Sequence, residues 1–197
     1  MIVVVAALKG GVGKTTTAVY LSAVAAMRPG GAILVDADTQ ASSADWLELA
    51  RDPVLEGVTL VEAPTDRLLV RTLDHPASDQ PMVVDTPPGN ERLLAKATER
   101  ASVVIVPTRV GGVETPQVEA VLDLVGNRIP VGLVICSART FTRDYQETVT
   151  AWEEAGVPVW GTVPERVAIA AGPMTALAPE GLEAYRALWR RAQRAVG

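Results

Sequence analysis

Met1 to Thr16 reads MIVVVAALKGGVGKTT, and the fold can be worked outward from this stretch. Met1–Ala7 is short, continuous and β-branched, the pattern of a strand covered on both faces. Thr15–Met27 is an Ala/Leu/Val-rich helix, closed by Pro29-Gly30-Gly31. Between them lies Lys9-Gly10-Gly11-Val12-Gly13-Lys14-Thr15-Thr16. Glycines there let the backbone curl so that successive N–H groups converge on one anion, and the helix that follows turns its positive end toward the same anion. Strand, glycine loop and helix in that order predict a phosphate cradle made by residues 9–16. Lys14 is expected to reach the β- and γ-phosphates of a nucleotide and the Thr15 hydroxyl to bind Mg²⁺. The alternative for Lys9 is a solvated lysine beside a tight turn.

The same alternation continues to the C-terminus. Strands are expected at Ala32–Asp36, Val58–Glu62, Met82–Asp85, Ser102–Pro107, Val131–Ser137 and Val157–Val163. Helices are expected at Gln40–Arg51 (with Ser42 or Ser43 as cap), Asp66–Leu73, Glu91–Arg100, Pro116–Val125, Thr142–Glu154 and Leu182–Ala195. This order predicts an α/β fold: a doubly wound, mostly parallel sheet with helices on both faces. The 197 residues fit one domain, 1–197, with a core of Val, Ala and Leu, since aromatics are only 4%. A single Cys excludes a disulfide framework or CxxC metal knuckle, and a single His argues against a His-rich zinc site. No apolar run approaches the roughly 18 residues of a membrane span, and no signal segment is evident, so a cytoplasmic protein is expected.

In open α/β sheets, ligands bind beyond the C-terminal ends of the strands. Two predicted strands end there in acid. One runs AILVD into Asp36-Ala37-Asp38-Thr39-Gln40; the other runs MVVD into Asp85-Thr86-Pro87-Pro88-Gly89. Phosphoryl transfer needs Mg²⁺, a positioned water and charge compensation, and such carboxylates suit the first two needs. Gly89 is open to two readings, a hinge of a phosphate-sensing loop or an ordinary Pro-Pro-Gly turn.

The general pattern GxxxxGK[ST] is not quite met, because its first glycine falls on Leu8. KGGVGKTT, with its extra Lys9, instead resembles the deviant Walker A motif of the ParA/MinD family of P-loop ATPases. The resemblance covers nearly the whole chain and is strongest over residues 1–40 and 81–90. It implies a P-loop NTPase fold, ATP and Mg²⁺ as cofactors, and catalysis by Lys9, Lys14 and Asp38. Lys9 would cross an ATP-dependent homodimer interface to the partner's nucleotide. Asp85 matches the aspartate that holds Mg²⁺ through water. Asp36 and Asp38 match DxDPQ, where the first lies near the metal and the second orients the attacking water; Thr39 departs from the usual proline. Adenine contacts would come from near Ser137 and Pro164–Arg166.

Gln40 and the wording DTPPG look more like ParA than MinD, which implies a slow, partner-stimulated ATPase that partitions a plasmid or chromosome. Its partners would be non-specific DNA and a ParB-like centromere-binding protein, with nucleoid association in the ATP state. Alternatives are a ParA-like ATPase positioning a protein cargo, a MinD-like membrane-associated ATPase, and a small-molecule ATP-dependent enzyme. Net charge is −5, so DNA binding requires a local basic patch. Residues 139–197 hold seven Arg against seven acids, whereas residues 1–138 hold eleven Lys and Arg against sixteen acids, so the last third is the relatively basic part. Candidates are Arg139, Arg143, Arg166 and, in the terminal helix, Arg190, Arg191 and Arg194. That helix also carries an apolar stripe (Leu182, Tyr185, Leu188, Trp189), which packs on the sheet in one reading and lies on a membrane in the other.

Overall fold

The computed structural model describes residues 1–50, 52–76, 78–111 and 115–197. Its strands are β1 Ile2–Val5, β2 Ala32–Asp36, β3 Val58–Glu62, β4 Met82–Asp85, β5 Val103–Thr108, β6 Val131–Ala138 and β7 Val159–Pro164. They form one parallel sheet in the order β3-β2-β4-β1-β5-β6-β7. The helices are α1 Lys14–Ala26, α2 Ser42–Leu49, α3 Asp66–Asp74, α4 Glu91–Thr98, α5 Thr115–Val125, α6 Arg143–Glu154, α7 Val167–Ala170 and α8 Pro179–Val196. Two differences from the sequence reading stand out. The segment after β7 contains α7 and a 3₁₀ turn at Gly172–Met174, and the terminal helix starts three residues early, at Pro179, a residue suited to a first helical turn. The helix expected over Gln40–Arg51 is α2, Ser42–Leu49; Arg51 lies outside the described residues.

The period-two alternation of the strands divides the apolar residues between two cores. Val3, Val5, Leu34, Val83 and Ile105 face α1, α2 and α8. Val4, Val35, Val84, Val104 and Val106 face α3, α4, α5 and α6. Both faces are therefore covered, which is why the central strands are continuous apolar runs. Helix α1 is apolar nearly all round, and it is buried beneath α8 and α2.

Helix α8 is amphipathic and buries Tyr185, Leu188, Trp189 and Ala192 against α1 and β7. Its apolar stripe is thus inside the core. The Tyr185 hydroxyl hydrogen-bonds Thr17 Oγ1 at 3.0 Å, and Tyr20 Oη accepts from the Ala178 N–H at 2.9 Å. The two tyrosine rings lie 5.1 Å apart. No helix among the described residues is long and apolar enough to cross a membrane.

Gly181 lets α8 approach that closely, because a Cβ there would stand 2.6 Å from Tyr20 Cε1. A helical Gly→Ala change ordinarily stabilises by up to about 1 kcal/mol. Here Gly181→Ala is expected to destabilise by about 1–3 kcal/mol through overpacking, read by urea unfolding. A stabilised variant would contradict the packing described.

Candidate functional site

The chain steps from β1 to β2 and β3 on one side, returns through β4, and continues to β5, β6 and β7 on the other. The reversal around β1 opens a crevice at the C-terminal edge of the sheet, the usual ligand position in such folds. The loop of residues 6–13 leaves β1 at that point. Gly11 and Gly13 adopt φ of +76° and +102°, conformations that a residue with a Cβ adopts at a cost. A Cβ on Gly13 would also stand 3.1 Å from Cys136 Sγ. Gly13 is the N-cap of α1 and offers no side-chain cap, so the N-terminal N–H groups of α1 border the crevice uncapped by a side chain. Lys14 is buried with 8% of its surface exposed, while Lys9 is half-buried on the opposite limb of the loop.

A cleft of about 290 Å³ follows the loop. Gly11, Val12, Gly13, Lys14, Thr15 and Thr16 line one wall, and Arg109, Cys136, Ser137, Val163, Ile169 and Ala170 line the other. Six of the eight loop residues expected to bind a nucleotide are therefore on it. Pro164 and Arg166, expected on the adenine side, are absent from this lining, which Val163, Ile169 and Ala170 provide instead. The Arg166 guanidinium folds back to donate to the Glu165 carbonyl at 2.9 Å, and α7 brings Ile169 and Ala170 inward. Ser137 is positioned by a bulge: Ile135 pairs with Thr162 and Ala138 with Pro164, so two β6 residues oppose Val163, and Ser137 takes φ +52°.

Asp36 and Asp85 are register partners on β2 and β4, side by side at the same edge. Their environments differ. Asp36 Oδ2 accepts from the Ser43 and Ala44 N–H groups at 2.9 and 3.0 Å, and Oδ1 accepts from Asp38 N–H at 3.0 Å. It serves as the N-terminal cap of α2, whose own N-cap, Ala41, has no side chain to do so. The expected capping by Ser42 or Ser43 is thus supplied from the neighbouring strand. Asp36, also expected near a metal, lies beside Asp85 at this edge with three backbone N–H groups donating to its oxygens.

Asp85 Oδ2 accepts from Ser43 Oγ at 2.6 Å, and its Oδ1 is buried with no hydrogen-bond partner among the described residues. Burial pushes its pKa up to about 6, opposed by the Ser43 and Thr15 hydroxyls and the Lys14 charge, and reinforced by Asp36. Burial likewise raises Asp36, against the pull of its three N–H donors. An orphaned carboxylate oxygen beside a threonine hydroxyl and a phosphate cradle fits Mg²⁺, which takes one or two carboxylates and completes its shell with water and substrate phosphates. Asp38 is half-buried two residues beyond the end of β2, its Oδ1 accepting from Gln40 N–H at 2.9 Å, and it is not among the residues lining the cleft. Gly89 turns with φ +67° between β4 and α4.

The candidate basic residues do not form one patch. Arg139 and Arg166 flank Glu165 at the C-terminal edge, and the Arg139 guanidinium is paired with Glu165. Arg143, at the start of α6, is paired with Glu147 at 2.6 Å. Arg190, Arg191 and Arg194 lie toward the far end of α8, where Arg191 donates to the carbonyl of Val159 at the start of β7. That is the opposite edge of the sheet. Sequence reasoning also left Arg109 out of the site, although its place directly after β5 is a usable signal.

A family model of the CobQ/CobB/MinD/ParA nucleotide binding domain matches residues 3–179. The chain belongs to this family. It is 41% identical over 101 residues to the maintenance of carboxysome distribution protein A of Gloeobacter kilaueensis, covering 51% of this chain and 45% of that one. It is 31% identical over 109 residues to protein ParA of Rhizobium radiobacter, covering 55% and 48%. The chain thus spans about half the length of these relatives. Among solved structures, the septum site-determining protein MinD of Pyrococcus horikoshii OT3, complexed with Mg-ADP, superposes with a TM-score of 0.78 at 19% identity over 100% of this chain and 97% of that one. The last comparison supports the doubly wound P-loop fold.

The titration of Asp85 has a measurable consequence. An acid whose folded pKa lies above its unfolded value binds extra proton when folded, so stability falls as pH rises through the window from about 4 to about 6. In the ligand-free protein Asp85 is expected to contribute a loss of about 2–3 kcal/mol across that window, opposed by Asp74, Glu99 and Glu165, whose arginine and lysine partners hold their pKa values down. Asp85→Asn should remove that contribution, so that stability falls less with rising pH than in wild type in urea unfolding at pH 4.5 to 7.5. An unchanged slope would contradict the assignment.

Proposed function

We propose that this chain is a Mg²⁺-dependent ATPase that dimerises on ATP, binds DNA without sequence preference, and positions a cargo through a partner protein. The observation that carries the reading is the glycine loop between β1 and α1, with Lys9 at its start and Lys14 at its end, facing the Asp85 and Thr15 pair. Thr15 and Asp85 would hold Mg²⁺, which on binding compensates charge on the phosphates. Lys14 offsets charge on the β- and γ-phosphates, and Lys9 reaches the nucleotide of a second copy. Asp38, tied just beyond the end of β2 by bonds with Asp36 and Gln40, orients the attacking water. Plasmid or chromosome partition with a ParB-like partner, on the nucleoid, is the form of cargo transport the ParA relative favours. The 41% identity to a carboxysome distribution protein favours a second form, in which the cargo is a protein assembly. The burial of the α8 stripe counts against a lipid surface as the platform.

Binding to random duplex DNA with ATP and with ADP, across 50–200 mM salt, tests this reading. ATP-dependent binding that weakens about tenfold or more over that range is expected. Equal binding with both nucleotides, or none with either, would overturn the DNA-platform reading. The pairing of Arg139 and Arg143 with acids favours the α8 end as the contact. Arg190→Glu combined with Arg194→Glu is therefore expected to cost at least about tenfold in affinity, with Arg143→Glu costing less.

A further inference from the structure

Ser43 makes two bonds from one residue, and they go to both strand-end carboxylates. Its N–H donates to Asp36 Oδ2 at 2.9 Å, and its hydroxyl donates to Asp85 Oδ2 at 2.6 Å. The residue is completely buried, and Asp85 is 1% exposed. A serine hydroxyl has one proton, and the ionised carboxylate can only accept it, so the direction of the bond is fixed. With Oδ2 held, Oδ1 is the oxygen left without a partner among the described residues. The backbone that carries Ser43 also carries Asp38, five residues earlier, through the left-handed turn at Ala41.

We propose that Ser43 is a positioning residue, which fixes the Asp85 carboxylate with Oδ1 toward the metal and ties that orientation to the seating of helix α2. The proposal rests on the Mg²⁺-ATP reading of the site. In this arrangement any shift of the Asp38 segment that pulls on the start of α2 also moves the metal-facing aspartate. Groups that orient a metal ligand from behind commonly govern metal affinity by about 10–100-fold.

The test is binding of N-methylanthraniloyl-ATP by wild type, Ser43→Ala and Asp85→Asn, each in EDTA and across a MgCl₂ series. Thermal melting of each variant establishes that it is folded. Ser43→Ala is expected to leave the affinity in EDTA within about twofold of wild type and to raise the Mg²⁺ concentration for half-maximal binding by about tenfold. Asp85→Asn is expected to abolish the Mg²⁺-dependent gain. An unshifted Mg²⁺ midpoint in Ser43→Ala, with the gain lost in Asp85→Asn, would overturn the role of Ser43 alone. Equal losses in EDTA and in Mg²⁺ for Ser43→Ala would reduce the residue to a packing role and also overturn it. A full Mg²⁺-dependent gain in Asp85→Asn would overturn the metal reading itself.

Discussion

Two aspartates end neighbouring strands in the same register, both almost completely buried, and the site is organised around holding that pair of charges. Adjacent carboxylates out of water repel each other and resist ionisation. Asp36 is compensated by the N-terminus of α2, through three backbone N–H groups. Asp85 is compensated by the Ser43 hydroxyl, the Thr15 side chain and the Lys14 charge, and its buried Oδ1 has no hydrogen-bond partner among the described residues. The same β1–β4 pairing that puts Asp85 opposite Val5 brings the glycine loop to this edge. One register therefore sets the carboxylates, the lysine and the anion cradle together.

This explains what was legible in the sequence. The strand, glycine loop and helix are contiguous, and their chemistry is local: left-handed glycines, then the start of a helix. The strands and the parallel class were legible because most strands are apolar runs bounded by turns that alternate with helical segments, whereas the order of the strands in the sheet was not. The role of Asp36 was not legible. Two of its three donors are the N–H groups of residues 43 and 44, which follow a left-handed turn at Ala41 that no glycine or asparagine announces. The Ser43–Asp85 bond spans 42 positions and has no local signal.

The far wall of the cleft shows the same limit. Helix α7 has four residues, too few for a periodic pattern, yet it carries Ile169 and Ala170 to the cleft, while Arg166 before it bonds back to the Glu165 carbonyl. The basic candidates illustrate the difference between composition and geometry. Seven arginines in the last third of the chain are one group in sequence, but the sheet separates those named as candidates into two, at opposite edges. The terminal helix has the pattern of a lipid-binding segment, and the tyrosine contacts with α1 show where its apolar face goes.

The central claim is that the loop is a nucleotide switch that a second copy of the chain completes. Sedimentation velocity with ATP and with ADP, on an Asp38→Ala background that retains ATP, tests it most directly. The expected result is a dimer with ATP, a monomer with ADP, and a monomer that still binds ATP when Lys9→Ala is added. A mass independent of nucleotide, or full ATP-dependent dimerisation without Lys9, would contradict it.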